Sequence, residues 1–91
     1  MRTPTWAQIE QFCHIDGWRE VRETGHVYFE KVLTDATVLR THRSFGSKKA
    51  MSPGRFKAVL HHQLRVTGEQ FWRALESGAP VDRSNDAATI R

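Results

Sequence analysis

Residues 18–43 read WREVRETGHVYFEKVLTDATVLRTHR, and their alternation of large and polar residues, broken by two turn signals, predicts three antiparallel strands. Strand one spans Trp18 to Glu23, strand two His26 to Leu33 and strand three Thr37 to Arg43, joined through Thr24-Gly25 and Thr34-Asp35-Ala36. Gly25 supplies the positive φ that a tight hairpin demands. Side chains alternate faces along a strand, so Val27, Phe29 and Leu33 share a core side while His26, Tyr28 and Glu30 share the other. In strand three Leu39 joins the core with Thr37 and Thr41, leaving Val38, Arg40 and His42 beside His26 and Tyr28. In strand one Val21 is expected inward and Arg22 outward. The uncovered face would then carry two imidazoles, one phenol and two guanidiniums, a set suited to holding and cutting a polyanion.

Outward from the strands the chain reads as helix. Thr5 followed by Gln8 fits a capping box, and Trp6, Ile9, Phe12 and Cys13 recur at helical spacing, predicting a first helix from Trp6 to Ile15 that Asp16-Gly17 closes. His14 is expected on its wet side. After the strands, SFGSKKAMSPG reads as a mobile, solvated loop. Ser52 is a good N-cap and Pro53 fits the first helical position. Phe56, Val59, Leu60 and Gln63 or Leu64 then repeat on one face, which should cover the sheet. Thr67 with Gln70 makes a second capping box, and Phe71, Trp72 and Leu75 form an apolar stripe ending at Gly78, so a short third helix is expected over about Gly68 to Ser77. Residues 1–78 form one α+β domain on this reading, and residues 79–91, small, polar and unpatterned, a flexible tail.

Ninety-one residues allow one small core. With 38% hydrophobic and 26% charged residues, and no apolar run near the roughly 20 residues that cross a bilayer, a membrane span is not expected. The opening MRTPTWAQIE lacks an apolar signal core, so a cytoplasmic location is the default. Cys13 is the sole cysteine, which excludes an internal disulfide and a thiolate-built zinc site and points to a half-buried structural thiol. The net charge is +4. Its placement matters more, because no Asp or Glu lies between Asp35 and Glu69, a span that carries Arg40, Arg43, Lys48, Lys49, Arg55, Lys57 and Arg65. Such a block favours a polyanion, with nucleic acid the commonest candidate, against the plainer reading of a solvated basic surface.

Three segments carry a resemblance: the first helix closing on Asp16, Gly17 and Trp18; RETGHVYF, Arg22 to Phe29; and SPGRFKAVLHHQLRVT, Ser52 to Thr67. Together they resemble the HicA toxin family, small ribonucleases with an α-β-β-β-α fold like that of the double-stranded-RNA-binding domain. The resemblance implies a three-stranded antiparallel sheet with helices on one face, to which the third helix here is an addition. In the family a glycine-serine-histidine turn at the head of the second strand presents the catalytic histidine, and His26 falls there. This chain lacks the serine, and Gly25 directly precedes His26. His42 and Arg43, before the loop with Lys48 and Lys49, look like the family's basic segment. The resemblance implies messenger-RNA cleavage, translational repression and toxicity, relieved by an acidic HicB-like antitoxin protein.

RNA carries its own nucleophile, so a ribonuclease needs no cofactor and no metal: a base for the 2'-hydroxyl, charge on the phosphorane-like state and an acid for the departing oxygen suffice. An imidazole titrates near neutrality, which suits His26 to the base. Arg22, Arg40, Lys48 and Lys49, with Arg43 and Arg55, are expected to hold phosphate, aided by backbone N–H groups at the start of helix two near Ser52. His42 or a lysine protonates the leaving group, or His42 is simply exposed. Tyr28 stacks a splayed base or packs across strands. His61-His62 does not read as a metal pair, because adjacent helical positions diverge by about 100°. Two other classes stay open: a non-catalytic RNA-binding module, which needs the basic block but no imidazole, and an interaction protein docking through its third helix.

Overall fold

The structure is a computed structural model that describes residues 2–43 and 49–83. The chain runs α1 (Trp6–Ile15), β1 (Arg19–Glu23), β2 (His26–Val32), β3 (Val38–His42), α2 (Pro53–Ala58), a π-helical segment (Val59–Leu64) and α3 (Gly68–Ser77). It is an α+β fold in which the strands form an antiparallel sheet in the order β1-β2-β3. No helix among the described residues is long and apolar enough to cross a membrane.

Each helix begins as its capping residues dictate. The Thr5 hydroxyl accepts from the Gln8 amide while the Gln8 side chain accepts from the Thr5 amide, closing the capping box at α1. Thr67 and Gln70 repeat the arrangement at α3. At α2 the Ser52 hydroxyl accepts from the Arg55 amide, with Pro53 in the first turn. The end of α1 is a glycine-terminated motif: Gly17 takes φ +77°, and the Trp18 amide returns to the Cys13 carbonyl. Trp18, read as the start of the first strand, therefore belongs to this closure. Its ring is buried and its indole N–H donates to the Asp16 carboxylate at 2.8 Å.

The two hairpins fix the register. Thr24 and Gly25 both hold positive φ, +47° and +77°, as a two-residue loop between twisted strands requires. Such a loop must pair Glu23 with His26, and the pairing Arg22 with Val27 and Val21 with Tyr28 follows. Cross-strand partners share a face. Val27 is buried beneath the helices, so Arg22 lies on the helix-covered side and Val21 on the open side. This corrects the expected orientation of β1, whose hydrophobicity pointed the other way; register is set by the loop, and one residue of slip inverts a whole strand. Arg22 is nonetheless well exposed because β1 is an edge strand that the helices barely cover.

One core holds the sheet to the helices. Val27, Phe29 and Leu39 meet Trp6, Ile9, Phe12, Phe56, Val59, Leu60, Leu64, Phe71 and Ala74, while Leu33, Trp72, Leu75 and Val81 pack at its margin. Thr41 is buried as expected and donates its hydroxyl hydrogen to the Gln63 side-chain oxygen at 2.6 Å. The third helix spends its apolar stripe on this core, since Phe71 is wholly buried and Trp72 packs edge-on to Phe56 and Phe71. In the segment read as a flexible tail, the Val81 amide donates to Asp16 at 2.8 Å and Arg83 reaches the same carboxylate at 2.8 Å. Residues 84–91 lie outside the described residues.

Candidate functional site

His26 opens β2, is exposed, and faces the uncovered side of the sheet with Tyr28, the two rings 6.3 Å apart. Arg40, on β3 opposite Glu30, lays its guanidinium over the Tyr28 ring at 4.3 Å. The same guanidinium lies 3.7 Å from the Glu23 carboxylate and 3.5 Å from that of Glu30. Glu23 is also the cross-strand partner of His26. The structure thus assembles an imidazole, a phenol and a guanidinium with two carboxylates, where the sequence pointed to a cationic trough.

The acid-free block between Asp35 and Glu69 does not survive folding as an acid-free surface. Strand pairing brings Glu23 and Glu30 to Arg40, and α1 brings Glu10 to Arg43, which form an ion pair. These acids lie outside the block in sequence and against it in space.

The other expected phosphate-binding residues are dispersed. Arg22 binds Glu20 at 3.1 Å on the helix-covered side of the sheet, away from His26. His42 pairs in register with Tyr28, yet its ring stacks on Trp6 with centroids 5.5 Å apart, so it is half-buried rather than displayed beside His26. Arg55 stands on the first turn of α2, its guanidinium 5.8 Å from the Trp6 ring. Lys49 is exposed, and Lys48, with residues 44–47 before it, lies outside the described residues. Among the described residues of the expected set, only Tyr28 and Arg40 are grouped with His26.

Trp6 therefore sits between His42 and Arg55, tying the end of β3 to the start of α2. A second polar group lies under the rim of α1: Glu10, His14 and Glu20, flanked by Arg43 and Arg22. His14 is exposed as expected, but its ring also meets Phe29 edge-on at 5.5 Å.

Sequence reasoning placed Glu30 on the open face without giving it a role, and missed Glu23 and this second group. Glu23 was within reach, because a two-residue Thr24-Gly25 loop places it across from His26 once the hairpin is accepted. Glu10 and His14 stand four apart on a helix, a spacing that puts them side by side. Glu20 required the corrected orientation of β1.

Comparison of the chain with protein-family models, with curated proteins and with solved structures finds no match.

Proposed function

We propose that this chain is a HicA-like endoribonuclease toxin, its sheet and helices forming a double-stranded-RNA-binding-domain-like scaffold, which cleaves messenger RNA in the cytoplasm and is held in check by an acidic HicB-like antitoxin. The observation that carries the reading is the exposed imidazole of His26 at the mouth of the β1–β2 hairpin, with Tyr28 and Arg40 on the same face. His26 accepts the 2'-hydroxyl proton, the 2'-oxygen attacks phosphorus, and the bond to the 5'-oxygen breaks as that oxygen takes a proton. The products are a 2',3'-cyclic phosphate and a 5'-hydroxyl.

Arg40 is the phosphate ligand of this site. Its pairs with Glu23 and Glu30 are partly solvated, the Arg40 side chain being 47% exposed. Ion pairs of that kind contribute about 0–1 kcal/mol each. A phosphate oxygen, offering charge-assisted and bidentate bonds, competes for the same donors. Glu23, freed by that exchange, is placed to orient the His26 ring or to hold its proton. A base stacking on Tyr28 would take the position that Arg40 occupies, so Tyr28 is better read as the surface that holds Arg40.

A second reading, a non-catalytic RNA-binding scaffold, is favoured by the charge balance around His26, which binding tolerates and catalysis does not need. Docking through α3 has less to support it, because the apolar stripe of that helix is already packed. Expression of the wild type, His26→Ala and Arg40→Ala in cells, following growth and transcript integrity, separates these readings. The toxin reading expects growth arrest and cut transcripts from the wild type only. Equal toxicity from a folded His26→Ala chain sinks the catalytic assignment.

A further inference from the structure

We infer that Glu10, His14 and Glu20 form a binding site for a first-row divalent cation, zinc above all, on the helix-covered side of the sheet and apart from His26. The inference does not rest on the ribonuclease reading. One ligand atom from each of the three residues lies within 4.8 Å of the others. Glu10 Oε1 and His14 Nε2 are 3.8 Å apart, one helical turn from each other on α1, and Glu20 rises from β1 beneath them.

The donor set is one imidazole nitrogen and two carboxylate oxygens. That combination suits zinc with a fourth position left to water, and is poor for calcium or magnesium, which prefer oxygen alone. Bonds of about 2.1 Å in a tetrahedron bring ligand atoms to about 3.4 Å from one another, so the side chains close inward by about 1 Å on binding. They have the freedom to do so, since His14 is 56% and Glu20 31% exposed in their side chains.

Two features make the group more than a pair of surface acids. Phe29 meets the His14 ring edge-on, which limits its rotation. Arg43 engages Glu10 Oε2 and Arg22 engages Glu20 Oε2. Each carboxylate thus has one oxygen fixed and the other available, as the outer partners of metal ligands commonly arrange. The two guanidiniums also offset the carboxylate charge, which weakens attraction for a cation held by charge alone and favours one that bonds strongly to nitrogen. Cys13, next in sequence to His14, is buried and takes no part.

The test is titration of the intact chain with zinc chloride, and separately with magnesium chloride, by calorimetry. The variants are His14→Ala, Glu20→Gln and the double substitution His61→Ala with His62→Ala, which removes the adjacent pair of exposed imidazoles. Circular dichroism of each variant confirms folding. The site predicts one zinc per wild-type chain, no saturable magnesium binding, at least about tenfold weaker zinc binding in His14→Ala and in Glu20→Gln, and no change in the double variant. Absence of saturable zinc binding overturns the inference. So does loss of binding in the double variant with retention in His14→Ala. A confirmed site would revise the expectation, drawn from sequence, that the chain holds no metal.

Discussion

Asp16 is wholly buried, yet every direction around its carboxylate is used: Trp18 donates from the indole, Val81 from the backbone, and Arg83 supplies the countercharge at 2.8 Å. Arg83 is itself only 13% exposed in its side chain and also donates to the Leu64 carbonyl at 3.2 Å. Removing one charge of such a pair strands the other in a poorly solvated place, at a cost of about 3–5 kcal/mol. Asp16→Asn should therefore lower stability by that amount in urea unfolding; a loss below about 1 kcal/mol would show that the clasp contributes little. Nothing in the sequence paired Asp16 with Arg83, because the contact spans most of the chain and no local pattern encodes it. Cys13 was legible as a structural thiol from its place beside Phe12. Its burial, then the carboxylates of Asp16 and Glu10, push its thiol far above the usual range. A thiolate is the reactive form, so Ellman's reagent should leave Cys13 unmodified until the chain unfolds; labelling of the native protein at the rate of an open thiol would contradict this. The sign of the accompanying pH effect follows from the raised value. Below the ordinary thiol pKa both states keep the proton and stability is full. Above it only the unfolded chain ionises, and stability falls as pH rises.

At the scale of elements, backbone strain falls in the two hairpin loops and at Arg65, which closes the π-helical segment with φ +53°. Thr24 and Ala36 adopt φ of +47° and +70°, a region where a side chain costs energy, most of all a β-branched one. Thr24→Asn places a residue tolerant of that conformation before Gly25. It should stabilise the fold by about 1 kcal/mol, raising Tm by about 4–8 °C; an unchanged or lower Tm would mean that the Thr24 side chain offsets its own strain. Both hairpins, α1 and α3 were readable because caps, turn residues and periodicity agreed on them. The face of β1 was not, because Val21 looked like a core residue while the loop register, a geometric constraint, outranked a single apolar side chain. The π-helical segment was not readable either. Phe56, Val59, Leu60 and Leu64 fit an ordinary helical stripe, and the structure widens it from Val59 so that Leu64 is buried while Gln63 reaches Thr41.

Across the whole molecule the sheet divides two chemistries. The open face gathers His26, Tyr28 and Arg40 with Glu23 and Glu30, and the covered face gathers Glu10, His14 and Glu20 with Arg22 and Arg43. The sequence showed the histidine, the hairpin that displays it and Glu30 on the same face, but not the pairing of Glu23 and Glu30 with Arg40, because charge counted along the chain ignores what pairing brings together. In the proposed function, the imidazole on the open face cuts RNA without a metal. This is tested most directly with purified protein and a short single-stranded RNA in excess chelator, comparing the wild type with His26→Ala and analysing product ends. The wild type is expected to cleave in chelator to give 2',3'-cyclic phosphate and 5'-hydroxyl ends, and His26→Ala to be slower by about 10²–10⁴-fold. Cleavage abolished by chelator, or retained in His26→Ala at the wild-type rate, would contradict it.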